Sequence, residues 1–318
     1  EERRVELMKA HGFNAIRTAH NPPSPAFLDA CDRLGMLVLD EAFDCWERQK
    51  NPQDYHLYFA DWWQRDLDAM VLRDRNHPSV ILWRTAYEIP ERLEPRGVEI
   101  ARQLAERIRS RDTSRPITAG VNGGRPAAGL DPAFEQLDIA GYNYLWANYE
   151  PDHERHPDRV MLGTESFPQH AHQNWRLVEK HPYVIGDFVW TGMDHLGESS
   201  IGNAQLAAPG RGGMGPGAPG GPARGAAGGQ APAAGGPAGG ALANVFSGLA
   251  SMGNISLGFP WFNCYCGDID LVGEAKPQWY LRKVLWGMSK LEMAVQRPVP
   301  AGRSEVISAW GWSDELRS

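Results

Sequence analysis

Cysteine is scarce, positive charge is in deficit, and no hydrophobic run is long. The 318 residues carry 32 Lys and Arg against 39 Asp and Glu, a net charge of −7. An acidic chain of this kind offers no basic face, so nucleic acid is not expected as a partner. No stretch approaches the ~20 apolar residues of a membrane-spanning helix, so no membrane partner is expected either. No basic segment leading into a short apolar one opens the chain, and a cleavable leader is not expected within it. The four cysteines are Cys31, Cys45, Cys264 and Cys266. The Cys-x-Cys spacing at 264–266 is too short for a usual zinc or redox pair, and no other residues complete a metal site. The cysteines read as unpaired structural thiols. Neither a metal nor an organic cofactor is expected.

What the chain does hold is tryptophan, 12 residues of it. Indoles stack on sugars and also fill cores, and the count leaves both open. Helical and extended patterns alternate. Residues 2–11 read as a helix stopped by Gly12. In "NPPSPAFLDACDRLG", Ser24 is placed to cap a helix with Pro25 at its first position. Phe27, Leu28, Cys31 and Leu34 would share one face, and Gly35 would end it. Further helices are expected around 58–75, 95–111 and 276–296. Seven strands are expected, at 14–19, 36–43, 80–86, 116–121, 137–144, 159–166 and 183–190. Continuous apolar strands separated by helices imply an α/β fold, a parallel sheet covered on its outer face. Seven is one short of a TIM (β/α)8 barrel, and the chain opens on a helix. The expectation is a barrel lacking its first strand, with that strand upstream of residue 1.

The barrel is expected to occupy residues 1–296. Within it, residues 207–241 are Gly, Ala or Pro except for Arg211, Met214, Arg224 and Gln230. Such a composition cannot bury enough apolar surface to offset its ordering entropy, so a disordered insertion is expected there. Residues 297–318 end in a β-like alternation and read as the beginning of a truncated β-sandwich domain.

In a parallel barrel, chemistry collects where the strands end. The polar residues at those ends are Arg17, His20, Asp40, Glu41, Asp44, Tyr87, Glu88, Asn143, Tyr144, Glu165, Asp187 and Trp190. Glu88 follows "SVILWRTAY" and Glu165 follows "RVMLGT". Facing carboxylates from two strands suit glycoside hydrolysis. Carboxylates at strand ends equally cap helices or pair with arginine, and periodicity does not separate the two.

Five stretches carry a resemblance: "HGFNAIRTAHNPPSPAFLDACDRLGMLVLDEAFDCW", "DWWQRDLDAMVLRDRNHPSVILW", "VMLGTESFP", "YVIGDFVWTGMDHLGESSIG" and "GDIDLVGEAKPQWYLRKVLW". They resemble the catalytic domain of glycoside hydrolase family 2, which includes β-galactosidases, β-glucuronidases and β-mannosidases. The later stretches are most similar to the bacterial β-galactosidase branch. The resemblance implies a carbohydrate substrate and cleavage of terminal β-glycosidic bonds, β-galactosides foremost, by double displacement. It implies barrel strands two to eight here, with N-terminal and C-terminal β-sandwich domains of the same chain missing.

Residue by residue, the resemblance makes Glu88 the acid/base and Glu165 the nucleophile. Arg17 would hold the nucleophile ionised, and Tyr144 would hydrogen-bond to it. His20 and Asp40 would face the sugar hydroxyls, and Trp190 would form a flat wall for the ring. The bland alternatives are a loop anchor for His20, a barrel-floor ion pair for Asp40 and core packing for Trp190. The chain departs from the family at one place. Where the family reads something like "WSIGNE", this chain reads "WRTAYE". The family's Asn would contact the sugar 2-hydroxyl, whereas Tyr87 offers a single hydroxyl further from the backbone. The alternatives to an active hydrolase are a non-hydrolytic carbohydrate-binding relative impaired by Tyr87, or an inactive fragment. Arg84, charged on a strand packed on both faces, needs a carboxylate, and Asp40 and Glu41 are the candidates.

Overall fold

Seven parallel strands follow one another around a single sheet in chain order. They are β1 Ala15–Arg17, β2 Leu37–Glu41, β3 Val80–Tyr87, β4 Ile117–Val121, β5 Ala140–Asn143, β6 Met161–Ser166 and β7 Val184–Val189. The structure is a computed structural model that describes residues 1–123, 127–194, 267–287, 289–292 and 310–313. The Gly/Ala/Pro-rich stretch at 207–241 and the domain boundary expected at 297 lie outside the described residues, as do Cys264 and Cys266.

Helices alternate with the strands: α1 Glu2–Ala10, α2 Pro25–Leu34, α3 His56–Asp74, α4 Pro95–Arg109, α5 Asp131–Phe134, α6 Tyr149–Arg155, α7 Ala171–Lys180 and α8 Pro277–Leu285. The start of α2 follows its sequence: the Ser24 hydroxyl accepts from the Phe27 amide at 3.3 Å, Pro25 opens the helix, and Gly35 closes it at φ 69°. The last helix is shorter than its apolar pattern implies. It ends at Leu285, ahead of Gly287, and Ser289–Glu292 is instead a strand, β8, paired antiparallel with β9, Trp310–Ser313. Glycine so close behind the helix end disfavours its continuation.

Side-chain alternation sorts the layers. Val38, Trp83 and Ile117 pack outward with Leu28, Val71, Ile100, Leu104 and Ile108 of the helices. Leu39, Leu82, Ile139 and Leu162 form a separate buried cluster on the enclosed side of the sheet. The sheet curls on itself: Arg17 of β1 donates to the Thr164 carbonyl of β6 at 3.2 Å. The result is a TIM barrel with seven of its strands among the described residues. Cys31 and Cys45 are buried free thiols, and burial pushes both well above the ordinary thiol range, to about 12 for Cys31.

Candidate active site

Glu165 lies near the end of β6 with its side chain fully buried. One oxygen accepts from Arg17 Nη1 at 2.5 Å and the other from the Tyr144 hydroxyl at 2.5 Å. One donor comes from β1 and the other from the residue just after β5. Arg17 also gives Nε to Glu41 at 2.6 Å, and its Nη2 lies 2.9 Å from His20 Nδ1. Burial disfavours charge on Arg17, but Glu41 and Glu165 outweigh that and raise its pKa. Burial likewise opposes ionisation of Glu41. The charges of Arg17 and Arg84 prevail and hold that carboxyl at about 2.

Glu88 follows β3 directly and occupies a different environment. Its amide donates to the Gly120 carbonyl of β4 at 2.9 Å, and its Oε1 accepts from Asn143 Nδ2 at 3.0 Å. Burial pushes its carboxyl up, and the neighbouring charge of Glu165 pushes it further, to about 7. The Asn143 hydrogen bond and the charges of Lys50 and Arg84 pull the other way. Two carboxyls at the same end of one sheet therefore have unlike surroundings.

An aromatic wall borders Arg17. The His20 ring lies 3.7 Å from the Tyr87 centroid and 5.0 Å from that of Trp190. The Arg17 guanidinium sits 5.7 Å and 5.6 Å from the same two rings. Lys50 Nζ covers the Tyr87 ring at 4.1 Å and donates to the Tyr87 carbonyl. Tyr144 stacks on Phe167 at 4.1 Å, which steadies the ring whose hydroxyl reaches Glu165. Among the described residues, three other than glycine have positive φ: His20 at 117°, Glu88 at 42° and Tyr144 at 59°. All three stand in this cluster. Backbone conformations of that kind cost energy and persist where surrounding structure enforces them, which is common at functional sites. Among the described residues, no group of three or more His, Cys, Asp or Glu is placed to hold a metal ion.

A sequence profile described as "Glycosyl hydrolases family 2, TIM barrel domain" matches residues 2–201. This chain belongs to glycosyl hydrolase family 2. A similar family 2 protein is the β-galactosidase BoGH2A of Bacteroides ovatus, 31% identical over 274 residues, covering 62% of this chain and 32% of that protein. A putative β-glucuronidase of Formosa agariphila is 28% identical over 244 residues, covering 62% of this chain and 23% of its own length. Among solved structures, a family 2 member from Bacteroides cellulosilyticus is 38% identical with a TM-score of 0.69, covering 96% of this chain and 34% of that one. The chain thus spans about a third or less of the length of these family 2 relatives.

Within this family 2 barrel, the residues expected from the sequence fall into two groups. Arg17, His20, Tyr87, Glu88, Tyr144, Glu165 and Trp190 come together at the strand ends. Asp40 does not. Strand alternation turns Val38 and Asp40 toward the helices and leaves Leu39 and Glu41 on the enclosed side. Asp40 is buried beside Asp74 at the end of α3, and burial and the Asp74 charge together push its carboxyl up. The residue in the cluster is Glu41, one position on, which is also the carboxylate that Arg84 faces, at 3.4 Å.

Two further members were not singled out by sequence reasoning. Asn143 stands at a strand end and was legible as a polar residue there, but its contact with Glu88 was not. Lys50 sits in the loop after β2, and no spacing rule points to it.

Proposed function

We propose that the full-length protein is a retaining β-glycosidase that cleaves terminal β-glycosidic bonds, with β-galactosides as its preferred substrates. The observation that carries this reading is the contrast between the two carboxyls. Glu165 accepts at both oxygens, one of them from a guanidinium, an arrangement that suits a nucleophile. Glu88 is buried and held at about 7, as a general acid working near neutrality requires. Retention needs the two carboxyl groups only about 5–5.5 Å apart, without room for a water between them. Their hydrogen-bond partners Asn143 and Tyr144 are consecutive residues, which supports such closeness.

In the first step Glu165 attacks the anomeric carbon. Glu88 gives its proton to the departing glycosidic oxygen, and a glycosyl ester forms on Glu165. That ester removes the negative charge beside Glu88, so the Glu88 pKa falls. Glu88 then takes a proton from water as the water displaces Glu165, and the free sugar leaves. Arg17 and Tyr144 receive the carboxylate back. Preference for galactosides rests on the motif resemblance and on relatives such as the Bacteroides ovatus enzyme.

Hydrolysis of aryl β-galactosides and β-glucuronides by the full-length protein tests the reading. The galactoside should turn over faster. Glu165→Gln should lose on the order of 10⁶-fold in kcat, the scale seen when a covalent nucleophile is removed. Since Glu88 must carry a proton in the first step, kcat/KM should fall as pH rises through about 7. Turnover unaffected by Glu165→Gln would refute the assignment, and sugar binding without turnover would support a non-hydrolytic relative.

A further inference from the structure

Arg84 is a fully buried guanidinium on β3, on the enclosed side of the sheet. Its Nε donates to the Ala86 carbonyl at 3.1 Å, and its Nη2 donates to Asn143 Oδ1 at 3.4 Å. Its Nη1 faces Glu41 Oε2 at 3.4 Å. Space for this side chain comes from Gly120 on β4. A Cβ added there would lie 1.6 Å from Arg84 Nη2 and 3.0 Å from Asn143 Oδ1.

The Asn143 carboxamide has two ends of similar size and opposite hydrogen-bonding sense. It serves the Glu88 carboxylate only if Nδ2 points there and Oδ1 points away. Thr164 Oγ1 lies 2.7 Å from Oδ1. A hydroxyl can donate or accept, so Thr164 tolerates either amide orientation. A guanidinium has donors only, so Arg84 tolerates only the oxygen. We propose that Arg84 is a positioning residue for Glu88: it fixes the Asn143 amide so that Nδ2 is presented to the carboxyl. It also closes a polar chain of hydrogen bonds and, between Glu41 and Arg84, an ion pair, Glu165–Arg17–Glu41–Arg84–Asn143–Glu88, that couples the two carboxyls through the barrel interior. The words acid/base and nucleophile rest on the glycosidase reading; the orientation of Asn143 does not.

The groups facing Glu88 set what happens when Arg84 is removed. Asn143 approaches from β5, Tyr144 and Glu165 from the ends of β5 and β6, and Lys50 from the loop after β2. Arg92 follows on the loop beyond β3, and Arg84 and Tyr87 belong to β3 itself. Loss of Arg84 removes one positive charge and frees the amide to turn, and both changes make the Glu88 carboxylate harder to form.

Isotope-edited infrared titration of the full-length protein reads this directly, with the Glu88 carboxyl band identified by its loss in Glu88→Gln. The wild-type midpoint should lie near 7. Arg84→Met should raise it by about one pH unit or more, the scale of a removed neighbouring charge. Gly120→Ala, which keeps the charge but crowds the guanidinium, should raise it in the same direction, and Arg84→Lys should bring it part of the way back. Should Arg84→Met fail to fold, Gly120→Ala carries the test. A midpoint unmoved in a folded variant overturns the proposal, even where the melting temperature drops, because a purely structural role would lower stability alone. The infrared band does not depend on turnover. An inactive protein would therefore count against the glycosidase reading and leave the Arg84 assignment standing.

Discussion

Tyr87 stands where the resemblance to the family leads one to expect an asparagine, and its surroundings say what a tyrosine does there. Its ring fills the space between His20 and Lys50. Burial and the charges of Glu165 and Glu88 keep its phenol neutral at any working pH by pushing its pKa up. A neutral phenol brings one hydroxyl and a rigid ring, whereas a carboxamide would bring a donor and an acceptor close to the backbone. Tyr87→Asn should therefore raise kcat/KM, by about tenfold or more, since a well-placed polar contact to the transition state is worth at least that. Steady-state kinetics on an aryl galactoside would check it, and equal or lower turnover would mean that the ring belongs to the working site. At this scale the sequence was legible where a residue type fixes its role. Glu88 and Glu165 stood out as carboxylates after apolar runs. Asp40 and Glu41 were not separable, because a strand boundary uncertain by one residue inverts which side chain faces the interior.

The elements that carry these residues were readable to the extent that each makes its own core. The seven strands are continuous apolar runs and were visible as such. α5 and α6 were not, because "DPAF" and "YEPDHER" are too short or too polar to show a helical stripe. The best marked element is α2, which has a cap at each end and leads directly into β2, the strand bearing Glu41. The Ser24 hydroxyl serves the helix N-terminus and lies outside the cluster of site residues. Ser24→Ala should cost about 1 kcal/mol. For a domain of this size that lowers the melting temperature by about 2–4 °C. Ser24→Asp, which keeps an acceptor, should melt close to wild type. Thermal unfolding followed by circular dichroism would decide, and equal melting of all three proteins would show that the cap contributes nothing. Activity at 25 °C should stay near wild type in both variants, because α2 would remain folded.

The sheet as a whole has two edges, β1 and β7, each paired on one side only among the described residues. Burial records the difference: every residue of β6 is buried, whereas on β7 only Val184 is. Ile185 of β7 is 51% exposed. Among the described residues no backbone ladder joins the two edges; from β1, Arg17 instead reaches the Thr164 carbonyl and Glu165 carboxylate of β6, the strand next to the far edge. The count of seven strands told of the gap before any coordinates did. That an arginine of β1 reaches β6 depends on curvature, which no local pattern encodes. An unpaired strand with an exposed β-branched residue is a template for another strand. The 318-residue chain taken alone should accordingly self-associate with rising concentration, and Ile185→Lys should weaken that association by placing a charge on the edge. Light scattering across a concentration series would measure it. Association equally strong in Ile185→Lys would move the contact away from β7. A chain that stays monomeric throughout would mean that Arg17 and the helices close the barrel well enough without a further strand.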